Sequence, residues 1–153
     1  MRTKPILSAK QLTPLIEIII AMVFFAGASI ILVQVFAKAH NDSRFAHDIN
    51  NATLFVGECA EKIRLADNYN GILEVLYLHG FAGSDDGTTY NAFLDIDFSP
   101  AQKAEAYSTM TFEAVINDNE AGRLITGRFV CIRKDGIELI SLGTATFLPG
   151  EEV

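Results

Sequence analysis

The chain is poor in cysteine, in base and in proline, and each shortage removes a class of protein. Its 153 residues hold two cysteines, Cys59 and Cys131, too few for a disulfide-built scaffold and without the paired spacing of a zinc site. One bridge between them, or two buried thiols, are the open alternatives. No proline lies between Pro14 and Pro100, so nothing of that kind interrupts a long helix in that interval. Twelve Lys and Arg stand against nineteen Asp and Glu, a formal net charge of −7; so acidic a chain is not built for nucleic acid or for an anionic lipid surface. The three histidines, His40, His47 and His79, form no ligand pattern with Cys or a carboxylate, and no nucleophile elbow, P-loop or HExxH motif occurs. The expectation is a non-enzyme with no catalytic residues, no metal and no cofactor.

What the chain has in excess is hydrophobic residues, half of its composition, and they are concentrated near the start. Residues 18–37 read IIIAMVFFAGASIILVQVFA, twenty residues without a charge. At about 1.5 Å rise per residue such a helix spans the roughly 30 Å hydrocarbon core of a bilayer. A secretory signal is excluded by the length of the run and by the lack of an A-x-A-like site followed by a clear break. Residues 1–12 contain Arg2, Lys4 and Lys10 and no carboxylate, while the remainder carries nine bases against all nineteen acids. Basic flanks stay in the cytoplasm. The expected organisation is therefore a basic cytoplasmic leader (1–12), a transmembrane helix (13–37), an extracytoplasmic continuation of that helix (38–69) and an antiparallel sheet domain with a Gly-rich loop (70–153).

The continuation is expected because Phe45, Ile49, Ala52, Val56, Cys59, Ile63 and Ala66 recur at spacings of three and four, an apolar stripe on one helical face. Arg44, Asp48, Asn51, Glu58, Glu61 and Lys62 are assigned to the other faces. Thr13 and Pro14 are placed at the helix start, and Asn70 with Gly71 at its end. Beyond it, residues 92–98, 107–116, 124–133 and 137–147 alternate as strands do. Asp135 and Gly136 form a hairpin signal that pairs the last two. The fold class is α+β: a long N-terminal helix, transmembrane in its first half, packed on a small antiparallel sheet as a roll. Residues 80–87 (GFAGSDDG) form a Gly-rich loop in which Asp85 and Asp86 read as turn chemistry and lack the ligand spacing of a calcium loop. Ala26, Gly27 and Ser29 are small enough for another membrane helix to approach. Phe45, Ile49, Val56 and Ile63 are the candidate helix–sheet contacts.

Thr13, Pro14, Leu15, Ile16 and Glu17, followed by the apolar run, resemble the N-terminus of type IV pilins and type II secretion pseudopilins. The motif covers the first third of the chain; the rest is similar in architecture only. The resemblance implies a bacterial cell-membrane protein with a single pass, its N-terminus cytoplasmic and its C-terminal domain outside. It also implies a structural subunit whose partners are other pilin-like subunits, membrane assembly machinery and the bilayer. Glu17, with Leu15 and Ile16, would guide assembly by neutralising a neighbouring subunit's amino group. The alternative is a signal-anchored extracytoplasmic binding module, in which Glu17 is incidental. The sequence departs from the family at the candidate processing point: Leu12 stands where a glycine is usual, and Thr13 with Pro14 where an aromatic residue normally begins the mature chain. A subunit that keeps its leader has no free amine at Thr13 and suits a minor component. Mass spectrometry of the native protein is expected to find the leader attached, and a mature N-terminus at Thr13 would contradict the minor role.

Overall fold

A computed structural model of the chain describes residues 9–84, 87–119 and 122–149. Leader residues 1–8, the side chain of Leu12, and Asp85 and Asp86 lie outside the described residues. The chain divides into two compact units, Met1–Arg44 and Phe45–Val153. One helix, α1 (Ala9–Arg64), passes through both. It starts earlier than Thr13 and Pro14 suggest, so Pro14 lies inside the helix, where the fourth residue before it, Lys10, loses its usual N–H partner.

In the first unit α1 has no core to cover. From Leu15 to Phe36 its large apolar side chains are half exposed or more, Phe24 at 71% and Phe36 at 72%. This is the one helix among the described residues that is long and apolar enough to cross a membrane.

In the second unit the same helix has a buried edge. Ala52, Val56 and Cys59 are wholly buried and Ile63 nearly so, with Ile49 and Ala66 packed at the margins. The expected end at Asn70 and Gly71 is wrong by several residues. Leu65 N closes onto both Glu61 O and Lys62 O at 3.1 and 3.2 Å, ending α1 at Arg64, and Asn68 then caps a second helix, α2 (Tyr69–Leu78). Asn68 is extended (φ −152°) and its side-chain oxygen accepts from Gly71 N at 2.8 Å, which satisfies one of the free donors of a new first turn. Ile72 and Leu76 of α2 join the core.

Five antiparallel strands follow in meander order: β1 (Ala82–Gly83), β2 (Thr89–Leu94), β3 (Ser108–Asn119), β4 (Gly122–Arg133) and β5 (Glu138–Pro149). Strand β1 lies inside the expected Gly-rich loop. The first expected strand stops at Leu94 because the Asp95 carboxylate accepts from Asp97 N and Ser99 N, both at 2.9 Å, a side-chain turn that competes with the ladder. Ile96 is consequently half exposed, while Phe98, at φ 60°, swings back into the core. The Asp135 and Gly136 hairpin forms as expected, Gly136 at φ 85° and Arg133 N bonded to Ile137 O at 2.9 Å.

The inward face is laid out in cross-strand rows: Met110, Cys131 and Ile140; Phe112, Phe129 and Leu142; Ala114, Gly127 and Thr144. Phe112 and Phe129 stack with ring centroids 4.5 Å apart. The Phe112 ring occupies the space above Gly127, where an added Cβ would come within 2.2 Å of it. Gly127→Ala is therefore expected to lower stability by about 1–3 kcal/mol through overpacking. Gly143→Ala, where nothing lies within 4 Å, is expected to show little change; thermal unfolding of the detergent-solubilised chain compares the two.

Candidate functional site

Glu17, Leu15 and Ile16 all lie exposed on α1. The helix starts at Ala9 and has no acidic residue in its first turn, so Glu17 stands two turns in. A helix dipole favours anions only within the first turn. No described side chain forms a hydrogen bond or an ion pair with Glu17. Twelve residues on, Ser29 Oγ donates to Phe25 O at 2.8 Å, so its hydroxyl is satisfied within its own helix. Nothing lies within 4 Å of where a Cβ would stand on Gly27. Together with Ala26 these residues leave a shallow notch in an otherwise bulky apolar surface.

The polar centre of the second unit is not legible in the sequence, where spacing places Asp48 off the apolar stripe on one of the other helix faces. Asp48 is only 4% exposed. Its Oδ2 accepts from Tyr107 Oη at 2.6 Å and from Arg133 Nη1 at 3.0 Å. The Arg133 guanidinium also forks onto Asp135, Nη2 to Oδ2 at 2.6 Å and Nε to Oδ1 at 3.0 Å, and lies 5.7 Å from the centroid of the Phe45 ring. Phe45 therefore serves as a partly exposed lid on this ion pair. The Asp135 carboxyl is held below the usual range by Arg133. The Tyr107 hydroxyl is pushed up, first by burial and then by Asp48. Arg133, bonded to Asp135 and Asp48, is held firmly in its charged form. Tyr107 immediately precedes β3 and Arg133 is the last residue of β4, so the polar cluster joins one end of the sheet to the helix.

A second polar contact fastens α2 to α1. Lys62 Nζ lies 2.6 Å from Glu58 Oε1, and His79 Nε2 is 3.5 Å from the same oxygen. His79 Nδ1 donates to Val75 O at 2.7 Å, and the ring meets Phe55 edge-on. Glu58 is held below its usual range by its bond from Lys62 and then by His79. His40 and His47 are not brought to His79 by the fold as a ligand set, and no group of three or more His, Cys, Asp or Glu able to hold a metal occurs among the described residues.

Cys59 on α1 and Cys131 on β4 face the same core, as the sequence suggests, but they are free thiols. Burial pushes the Cys59 thiol up to about 12 and Cys131 up to about 11. Beside Cys131 lies the Ser108 hydroxyl, which is buried without an oxygen or nitrogen partner. The two sulfurs act as small hydrophobes.

An open groove of about 540 Å³ runs between α1 and β5, bounded by Gly57, Ala60, Glu61 and Arg64 on the helix and by residues 142–145 on the strand. No protein-family model, curated protein or solved structure matches the chain.

Asp48→Ala removes the acceptor of Tyr107 and of one arm of Arg133, which keeps Asp135, and is expected to cost about 1–3 kcal/mol, read as a fall in the urea midpoint. At pH 8 both thiols are expected to resist an aqueous thiol reagent in the folded chain. Both should titrate in denaturant without reductant; a protein needing reductant first would contain the bridge.

Proposed function

We propose that the chain is a pilin-like or pseudopilin-like structural subunit of a membrane-associated pilus or secretion assembly, a minor component and not an enzyme. The observation that carries this is the placement of Glu17. It is an ionisable group at the head of an apolar run, two turns into the helix and past the first turn in which a helix terminus favours an anion, with no partner of its own among the described residues. A carboxylate so placed is expensive in a bilayer unless a partner or a proton neutralises it, and an adjacent subunit is the partner that an assembly supplies.

Three features support the reading. The exposed apolar surface of the first unit suits lipid and neighbouring helices, and the notch at Ala26, Gly27 and Ser29 suits close approach. The basic leader, followed by a domain with most of the acids, suits an N-terminus in the cytoplasm and a sheet domain outside. The helix-on-sheet second unit is held together by a buried stripe and an ion pair, which suits a structural subunit. The groove beside β5 keeps a second reading alive, a membrane-anchored binding module.

Glu17→Ala separates the two. The assembly reading expects loss of co-purification and cross-linking with neighbouring subunits, while thermal unfolding of the second unit stays as in the parent. Unchanged assembly would overturn it in favour of the anchored module.

A further inference from the structure

The two edges of the sheet are finished in opposite ways. On one side β1 is only two residues long, and its own chain dresses the backbone around β2. Ser84 N bonds to Thr89 O, Phe93 O accepts from Ala101 N, both at 2.8 Å, and Leu94 bridges to Pro100. On the other side β5 presents twelve residues, and among the described residues its strand pairs with β4 alone. Proteins protect such an edge with charge, proline, bulges or a short strand. From Ile140 to Leu148 there is no charge and no proline, and the one register shift lies before that stretch.

The groove adjoins this open edge. An added strand would direct alternate side chains towards α1, and there Gly57 has nothing within 4 Å of its Cβ position; Gly143, on the outward face of β5, is equally unobstructed. Leu142 remains 37% exposed on the inward-facing row, and the Thr144 hydroxyl has no partner. The helix wall is charged in one place only: Glu61 and Arg64 point to the groove and pair with no described residue. They are offset along the helix by about 4.5 Å. Two same-face residues of a strand, spaced roughly 6.6–6.8 Å, can meet such a pair.

We propose that the outer edge of β5 receives an extended segment of another protein, which adds as a sixth strand and sets a base against Glu61 and an acid against Arg64. A row of backbone donors and acceptors is met in full only by another strand, and the unpaired acid and base fix its register. A second copy of this chain fits less well. Asp48 bonds Arg133 at the β4–β5 turn while Arg64 lies beside residues 142–145, so the outer part of α1 runs in the same sense as β5. Pairing β5 with its twin about a two-fold axis would be antiparallel and would put the two Phe45 ends on opposite sides. Two subunits entering one membrane cannot satisfy that, and this step rests on the proposed function.

The test uses the full chain in its native membrane, with a benzophenone photo-cross-linking residue at Ala145 and, as a control, at Glu113 on the outer sheet face. The expected result is an adduct at 145 and not at 113, with a protein other than this chain. Its cross-linked peptide should contain a base and an acid two residues apart. Gly143→Lys, placed where there is room, and the charge swap of Glu61→Arg with Arg64→Glu are each expected to cut the yield at least fivefold with unfolding temperature unchanged. An adduct to a second copy, equal labelling at 113, no adduct, or yields indifferent to both variants would overturn the proposal. The same cross-link in the Glu17→Ala chain keeps the two readings apart. Intact assembly in that chain defeats the subunit reading alone; indifference of the 145 adduct to the edge variants defeats the strand reading alone.

Discussion

The structure depends on the buried contact between the stripe from Ala52 to Ile63 of α1 and the inward rows of β3, β4 and β5. Everything in the second unit is arranged to cover that stripe. The Phe112 and Phe129 stack supplies the bulk, Gly127 makes room for it, and α2 closes the core with Ile72 and Leu76. A helix in isolation gains little from propensity and takes its stability from such an amphipathic face. The same helix, α1, has no such face before Phe45, where apolar residues occur all round. One continuous element thus carries two patterns, apolar all round from Ile18 to Ala37 and one-sided from Phe45 on.

Burying Asp48 within that contact is at first sight a cost. A carboxylate taken out of water is tolerated only when paired and hydrogen-bonded, and Arg133 and Tyr107 do both. Apolar contacts along a stripe are permissive about sliding, since one turn of helix exposes a similar set of side chains. An ion pair with a bidentate second arm onto Asp135 is not. The apolar stripe supplies adhesion and Asp48 fixes the position at which the helix adheres.

Much of the fold was legible in the sequence. The helix stripe, the three long strands and the Asp135 and Gly136 hairpin followed from spacing and turn chemistry, because each reflects a local preference that the tertiary structure reinforces. The misses had competing local chemistry. Asn70 and Gly71 looked like a helix end, whereas Asn68 had already opened a new helix with its side chain. Residues 92–98 alternate like a strand, yet Asp95 diverts its own backbone into a turn. Asp48 was misplaced because spacing alone cannot tell a solvated acid from one matched to an arginine 85 residues away. Glu17 was legible as a residue of interest, but its distance from the helix start was not, since Thr13 and Pro14 imitate a beginning that lies further back.

The 85-residue separation of Asp48 and Arg133 also orders events during biogenesis. The meander can assemble hairpin by hairpin from neighbouring sequence, but α1 cannot be fixed until β4 has been made and folded back. Closing so long a loop before its reward arrives is slow. A ribosome delivering this polypeptide from its N-terminus releases the adhesive helix first and its cover last. Through that interval the stripe is bare, a surface for holding factors in the cell and for aggregation in a test tube.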